Sequence, residues 1–214
     1  ISSAIEAGDI EVGVAGGVED MFTIPQGGFA PDFNVKLAEE DYYISMGEGA
    51  ELLADELSIS REDQEEFSFR SHERAVEARD SGKFDNEIVP IILEDGSVLD
   101  KDSGPRNPDK EKIKSLKPAF KADGTVTAAT SSPFSIGASA MLITSEKYAK
   151  KNGLNIRAYI EGRAVAGVNW TMFGSGPIPA TAKALKNTGL SMDDIDVVEI
   201  NEALAAQAFY CIRQ

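Results

Sequence analysis

Apolar runs near the start of the chain predict a helix followed by a strand. Residues 1 to 8 have helical spacing, with Gly8 as the C-cap. Ile10 to Ala15 has the apolar character of a short strand, and Gly16-Gly17 predicts a sharp turn after it. Phe22 to Tyr43 contains prolines, glycines and scattered aromatics without periodicity, so we expect a long surface loop there.

The next stretch has the strongest helical pattern of the chain. Met46-Gly47 opens a helix that continues over Gly49 to Leu57. Ser60, with Asp63 three residues later, is typical of a capping box and predicts a second helix that runs to about Asp80 and closes at Gly82.

The remaining pattern alternates between strands and helices. Asp95-Gly96 is a hairpin signal between two apolar segments. Gly124 to Ser139 is small, polar and turn-rich, and it precedes an apolar run. The alternation across the last third indicates an α/β layer with parallel strands. The predicted elements are strands over 87–93, 97–99, 140–143 and 157–168, and helices over 146–151 and about 179–188.

A strand, a tight turn and a helix are predicted from Asp196 to Phe209, with Asn201 and Glu202 at the joint. Ligands collect at the carboxyl ends of strands in α/β sheets, where an amide can position a water or a carbonyl oxygen. The alternative is that Asn201 is only an N-cap and Glu202 only a first-turn acid that complements the helix dipole.

Composition excludes several classes of partner. The net charge is −15, with 21 Lys and Arg against 36 Asp and Glu, which argues against nucleic acid. No apolar run is long enough to span a membrane. His72, the one histidine, lies at helical spacing beside Phe69 and Val76, which favours a structural role. Cys211, the one cysteine, excludes an internal disulfide.

Segments in a consistent order along the whole chain resemble the thiolase family, the enzymes that make or cleave 3-ketoacyl-CoA. The matching segments are GDIEVGVAGGVEDM, MGEGAELLADELSISREDQEEFSFRSHERA, EIVPI, LKPAF, DGTVTA, GSGPIPATAKAL and VVEINEALAAQAF.

The resemblance implies a layered α/β/α/β/α fold of two similar halves, with an inserted loop domain that holds the coenzyme. Residues 1–21 would end the N-terminal half, and residues 22–122 would form the CoA-binding loop domain. Residues 123–214 would contain the remainder of the first half and the start of the C-terminal half. Ile1 and Gln214 both fall within predicted helices, so we expect an internal fragment of a longer protein.

Thiolase chemistry, as the resemblance implies it, uses a nucleophilic cysteine, a histidine and a second cysteine, with oxyanion holes for the developing charges. The first cysteine would precede Ile1, and the other two residues would follow Gln214. Cys211 matches neither cysteine motif and is interpreted as a small buried hydrophobe. The catalytic positions that remain are Asn201, which would hold the water of one oxyanion hole, and Glu202.

The substrate-binding positions implied by the resemblance are Met46, Gly162, Ala203 and Leu204. Met46 matches a methionine near the reacting acyl group, and Leu204 stands where phenylalanine is common. Gly162 replaces a serine that contacts the pantetheine arm in many members. The segment 129–136 departs from the family pattern, which puts substrate choice and activity in doubt.

Two functions are therefore predicted for the full-length protein. The first is a thiolase-type acyltransferase of fatty acid metabolism, with coenzyme A or acyl-CoA as substrate and with neither a metal nor a permanently bound cofactor. It would be a homodimer or homotetramer in the cytoplasm, or alternatively in the mitochondrial matrix or peroxisome. The second is a thiolase-like protein that binds acyl-CoA without catalysis.

Overall fold

The computed structural model describes residues 1–23, 25, 28 and 30–214. Part of the predicted loop from 22 to 43 lies outside these residues. The helices are α1 (Ser2–Glu6), α2 (Val35–Glu39), α3 (Met46–Glu56), α4 (Arg61–Asp80), α5 (Lys110–Lys114), α6 (Glu146–Lys151), α7 (Pro177–Thr188) and α8 (Ala205–Arg213), and the strands are β1 (Val12–Asp20), β2 (Ile91–Ile92), β3 (Val98–Leu99) and β4 (Ile136–Thr144).

The chain divides into two compact units, each built from separate stretches. The first unit comprises Ile1–Phe33, Phe134–Val165 and Ala180–Asp196. The second comprises Asn34–Pro133, Ala166–Pro179 and Val197–Gln214. The predicted domain boundaries after residues 21 and 122 stay predictions.

The first unit contains an antiparallel pair of long strands. β1 pairs with β4 from Val12 opposite Thr144 to Asp20 opposite Ile136. The turn predicted at Gly16-Gly17 is wrong, because both glycines lie inside β1 and pair with β4. A Cβ at Gly16 would lie 2.9 Å from the Ser139 carbonyl oxygen, so glycine lets the two backbones approach there.

The parallel strands predicted for the last third are also wrong for the described part of the chain. Residues 157–168 and 197–200 are not assigned to strands, and the ladders in the described ranges are antiparallel. Val165 and Val197 are each 81% exposed. An apolar pattern favours an extended backbone, but a strand also needs a neighbour that exchanges hydrogen bonds with it.

The second unit holds a core between α3 and α8. Leu53 of α3, Val126 and Ala206 of α8 are almost fully buried in one cluster that also contains Leu204. A second cluster joins Phe67 of α4 to Ala205 and Ala208 on the other side of α8. Helix α8 is therefore buried on two faces, which fixes the position of the residues that precede it.

Capping boxes start both long helices of this unit. The Ser60 and Asp63 box of α4 is confirmed, and Ser45 and Glu48 form another at the start of α3. The predicted end of α4 is confirmed by Gly82, whose φ is +74°.

Arginines near the two ends of helix α4 bind the connecting segment from 105 to 116. Arg61 donates from Nη2 to the Leu116 oxygen at 2.6 Å and to the Lys114 oxygen at 3.1 Å. Arg79 donates from Nη1 to the Pro105 oxygen at 2.7 Å. The segment from 105 to 116 therefore runs antiparallel to the helix.

A short hairpin lies between α4 and this segment. β2 pairs with β3, and the predicted Asp95-Gly96 turn is confirmed by a φ of +82° at Gly96. The paired strands are shorter than predicted.

Candidate functional site

Helix α8 begins later than the sequence predicts. Its N-cap is Leu204, so the interpretation of Asn201 as an N-cap is wrong. Residues 201–204 instead form an extended segment, where Leu204 bridges to Ser131 and the Ser132 N–H donates to the Ala203 oxygen at 2.8 Å. Because the backbone of residues 203 and 204 pairs with residues 131 and 132, helix α8 does not begin at Asn201.

A cavity of about 300 Å³ in the second unit brings several predicted site residues together. Met46 lines it from the first turn of α3, and Asn201, Ala203 and Leu204 line it from the extended segment. The other lining residues are Gly49, Ala50, Leu53, Phe173, Gly174, Pro177, Ile200 and Gln207. The wall is mostly apolar, with Asn201 and Gln207 as its polar residues, which is typical of a small-molecule pocket.

Two glycines let aromatic rings approach the start of α3. A Cβ on Gly49 would lie 2.6 Å from Cε1 of Phe173, and one on Gly47 would overlap the ring of Phe120. Phe173 belongs to a 3₁₀ turn, Trp170–Ser175, that packs on α3. Of these residues, Gly49 and Phe173 line the cavity beside Met46.

The side chain of Glu202 contacts helix α4 and does not line the cavity. Its Oε2 accepts a hydrogen bond from Ser71 Oγ of α4. Burial and then the charge of Arg106 lower the pKa of His72. The charge of Glu202 raises the pKa by less, so the net shift is downward. His72 Nδ1 accepts the Arg106 N–H at 3.4 Å. Glu202 therefore connects the extended segment to α4.

Gly162 lies in the first unit. Its Cα faces the methyl group of Thr188, and a Cβ at this position would collide with that methyl. The predicted contact of Gly162 with a pantetheine arm stays a prediction.

Cys211 is poorly suited to act as a nucleophile. Burial raises the pKa of its thiol, which outweighs the hydrogen bond from Gln207. The Sγ donates to the Gly174 oxygen at 3.3 Å. A nucleophilic cysteine needs a lowered pKa.

Sequence reasoning missed Leu53, Phe173 and Gln207 in the cavity wall, and it missed the carboxylate of Glu51. The other buried residues of α3 are small or apolar, so an acid at 51 interrupts an otherwise apolar set: Gly47, Gly49, Ala50, Leu53 and Ala54. That interruption was the available signal. Phe173 had none, because only the fold brings it to α3.

The chain belongs to the thiolase family. The model of the thiolase N-terminal domain matches residues 1–147, and that of the thiolase C-terminal domain matches residues 154–214. The fold is α/β, as predicted, and solved thiolases share it. Among the described residues, no helix is both long enough and apolar enough for a membrane span.

Relatives of known sequence include a 3-ketoacyl-CoA thiolase of Vibrio vulnificus (strain CMCP6), which is 46% identical over 98% of this chain and 56% of its own length. The dimeric peroxisomal thiolase of Saccharomyces cerevisiae has a TM-score of 0.92 at 37% identity, over 99% of this chain and 56% of that one. Human mitochondrial 3-ketoacyl-CoA thiolase in complex with CoA has a TM-score of 0.88 at 34% identity, over 99% and 57%. The chain thus spans about half the length of these relatives.

Proposed function

We propose that the protein containing this chain transfers acyl groups between CoA thioesters, by condensation to 3-ketoacyl-CoA or by its thiolytic cleavage. One observation carries the proposal. Met46 of α3 lies far in sequence from the extended segment that carries Asn201, Ala203 and Leu204, yet all four residues line a single apolar cavity in a chain of the thiolase family. Substrates of several named relatives are of this type.

In this proposal the cavity receives the acyl end of the substrate. Met46, Ala203 and Leu204 supply apolar contacts, and the Asn201 amide holds a water that stabilises developing negative charge on the thioester oxygen. The family resemblance supports a backbone contact of Gly162 with the pantetheine arm, and this contact stays a proposal. The catalytic role of Glu202 stays a prediction: its Oε2 accepts a hydrogen bond from Ser71 Oγ, and Glu202 does not line the cavity.

Coenzyme A enters as substrate, with no permanently bound cofactor. The nucleophilic cysteine, the catalytic histidine and the second cysteine would lie outside residues 1–214, and the raised pKa of Cys211 supports assigning the nucleophile elsewhere. We further propose a homodimer or homotetramer in the cytoplasm, with the mitochondrial matrix or peroxisome as alternatives. The yeast relative is described as dimeric.

Thiolysis of 3-ketoacyl-CoA by the full-length gene product tests the proposal, after its intact mass has shown whether it exceeds 22.9 kDa. Wild-type protein should consume CoA and 3-ketoacyl-CoA together. Asn201→Ala should lower kcat roughly 100- to 1,000-fold, as removal of one oxyanion donor does in other enzymes. Asn187→Ala, an exposed asparagine on α7, is the matched control and should leave kcat unchanged.

The outcome that favours the second function is acyl-CoA binding without turnover in a protein whose nucleophilic cysteine is intact. The departure of residues 129–136 from the family pattern is the observation behind that alternative. In that case Asn201→Ala would leave acyl-CoA affinity nearly unchanged and there would be no kcat to lose.

A further inference from the structure

Glu51 of α3 is a buried carboxylate, with only 3% of its surface exposed. Its Oε1 accepts the Thr125 N–H at 3.0 Å and the Val126 N–H at 2.9 Å. Its Oε2 accepts hydrogen bonds from the Thr125 N–H at 2.9 Å and from the Thr125 hydroxyl, Oγ1, at 3.1 Å. Among the described residues, no Lys or Arg forms an ion pair with it. The charge of Glu51 is therefore stabilised by hydrogen bonds from one loop, at Thr125 and Val126.

The same loop is held from a second helix and permits no side chain at its start. Gln64 of α4 donates from Nε2 to Thr125 Oγ1 at 2.9 Å. A Cβ on Gly124 would collide with Glu51 Oε1, so only glycine leaves room for the carboxylate. Hydrogen bonds to an ionised acceptor are roughly twice as strong as neutral ones, so Glu51 is the stronger of the two anchors.

From this anchor the loop leads directly to the wall of the cavity. Val126 is completely buried in the cluster that includes Leu53 and Leu204. Five residues further on, Ser131 bridges to Leu204, and the Ser132 N–H donates to the Ala203 oxygen. Residues 203 and 204 line the cavity and follow Asn201 almost immediately.

We propose that Glu51 is a positioning residue for acyl transfer: it fixes the loop 125–132, which in turn fixes the extended segment that carries Asn201. The inference rests on the proposed function. Glu51 takes no part in proton transfer, because both oxygens already accept hydrogen bonds and neither lines the cavity. A displacement of Asn201 by about 1 Å is enough to cost up to roughly 100-fold in rate.

The test is Glu51→Gln in the full-length protein, assayed by thiolysis per mole of folded protein. In either orientation the amide keeps one acceptor oxygen but turns its NH₂ group toward the Thr125 N–H donor. We expect kcat to fall roughly 10- to 100-fold, with KM for acyl-CoA changed less than about threefold. Glu51→Asp should restore part of kcat. The residual activity of Glu51→Gln should keep the wild-type pH profile, whereas a proton-transfer role would remove one limb of it.

Glu62→Gln, an exposed carboxylate of α4, is the matched control and should leave kcat unchanged. If Glu51→Gln does not fold, Thr125→Ala removes only the hydroxyl bonds and should lower kcat several-fold. Wild-type kcat in the folded Glu51 or Thr125 variant would overturn this inference alone. Absence of turnover in the wild type would overturn the proposed function together with it.

Discussion

The two units bury their apolar residues very differently. Among the described residues, the buried hydrophobic residues belong to the second unit, except Ala149 in the first. In the first unit β1 and β4 pair over nine residues, yet Val14 and its cross-strand partner Leu142 are 66% and 55% exposed. In the second unit Leu53 is 1% exposed.

The contrast separates two sources of stability. A continuous ladder satisfies the backbone along one edge of each strand, but it removes little apolar area from water unless something covers a face of the sheet. The helices of the second unit cover one another instead, since α8 packs on both α3 and α4. We therefore expect mutations to have different effects in the two units.

The largest expected contrast is between two identical truncations. Leu53→Ala leaves a cavity in the core and should lower the free energy of unfolding by about 2–5 kcal/mol. Leu142→Ala removes a half-exposed side chain from β4 and should cost less than about 1 kcal/mol. Urea midpoints of the two variants of the 214-residue chain measure this, and equal losses would contradict the difference in burial between the two units.

A smaller contrast comes from glycine. Gly47→Ala forces a methyl group into the ring of Phe120, and overpacking of this kind costs roughly 1–3 kcal/mol even though alanine favours a helix. Gly17→Ala in β1 meets nothing within 4 Å and should be neutral or slightly stabilising. Thermal unfolding distinguishes the two, and a stabilising Gly47→Ala would contradict the close approach of Phe120 to α3.

The smallest expected effect is a pH dependence within the second unit. Burial, followed by the charge of Arg106, lowers the pKa of His72 below its ordinary value of 6.5. The unfolded chain then binds the proton more readily, so stability is complete above about pH 6.5 and declines as the pH falls below it. His72→Gln should flatten the decline in urea midpoint between about pH 7.5 and pH 5.5. An unchanged slope would show that burial of His72 contributes nothing.

Features encoded by near neighbours could be predicted from the sequence. The Ser60 and Asp63 box, the end of α4 at Gly82 and the Asp95-Gly96 turn all depend on residues within a few positions of each other. The α/β class and the thiolase family followed from segments spread over the chain.

Features that depend on residues far apart in the chain could not be predicted from the sequence. Gly16 and Gly17 suggested a turn, because the strand that pairs with them lies far along the chain. Asn201 and Met46 were candidate site residues individually, but only tertiary packing brings them to one cavity with Phe173. The catalytic role of Glu202 and the role of Gly162 in substrate binding stay predictions.

Arg61 and Arg79, two of the four arginines of α4, have a consequence for chain entropy. They are separated along the helix by about 27 Å and fix the segment 105–116 at Pro105 and Leu116. Residues between those anchors form a closed loop, and each doubling of such a loop costs only about 0.6 kcal/mol. Insertions between Pro105 and Leu116 would bulge outward locally. The loop 125–132, which Glu51 anchors, would keep its place.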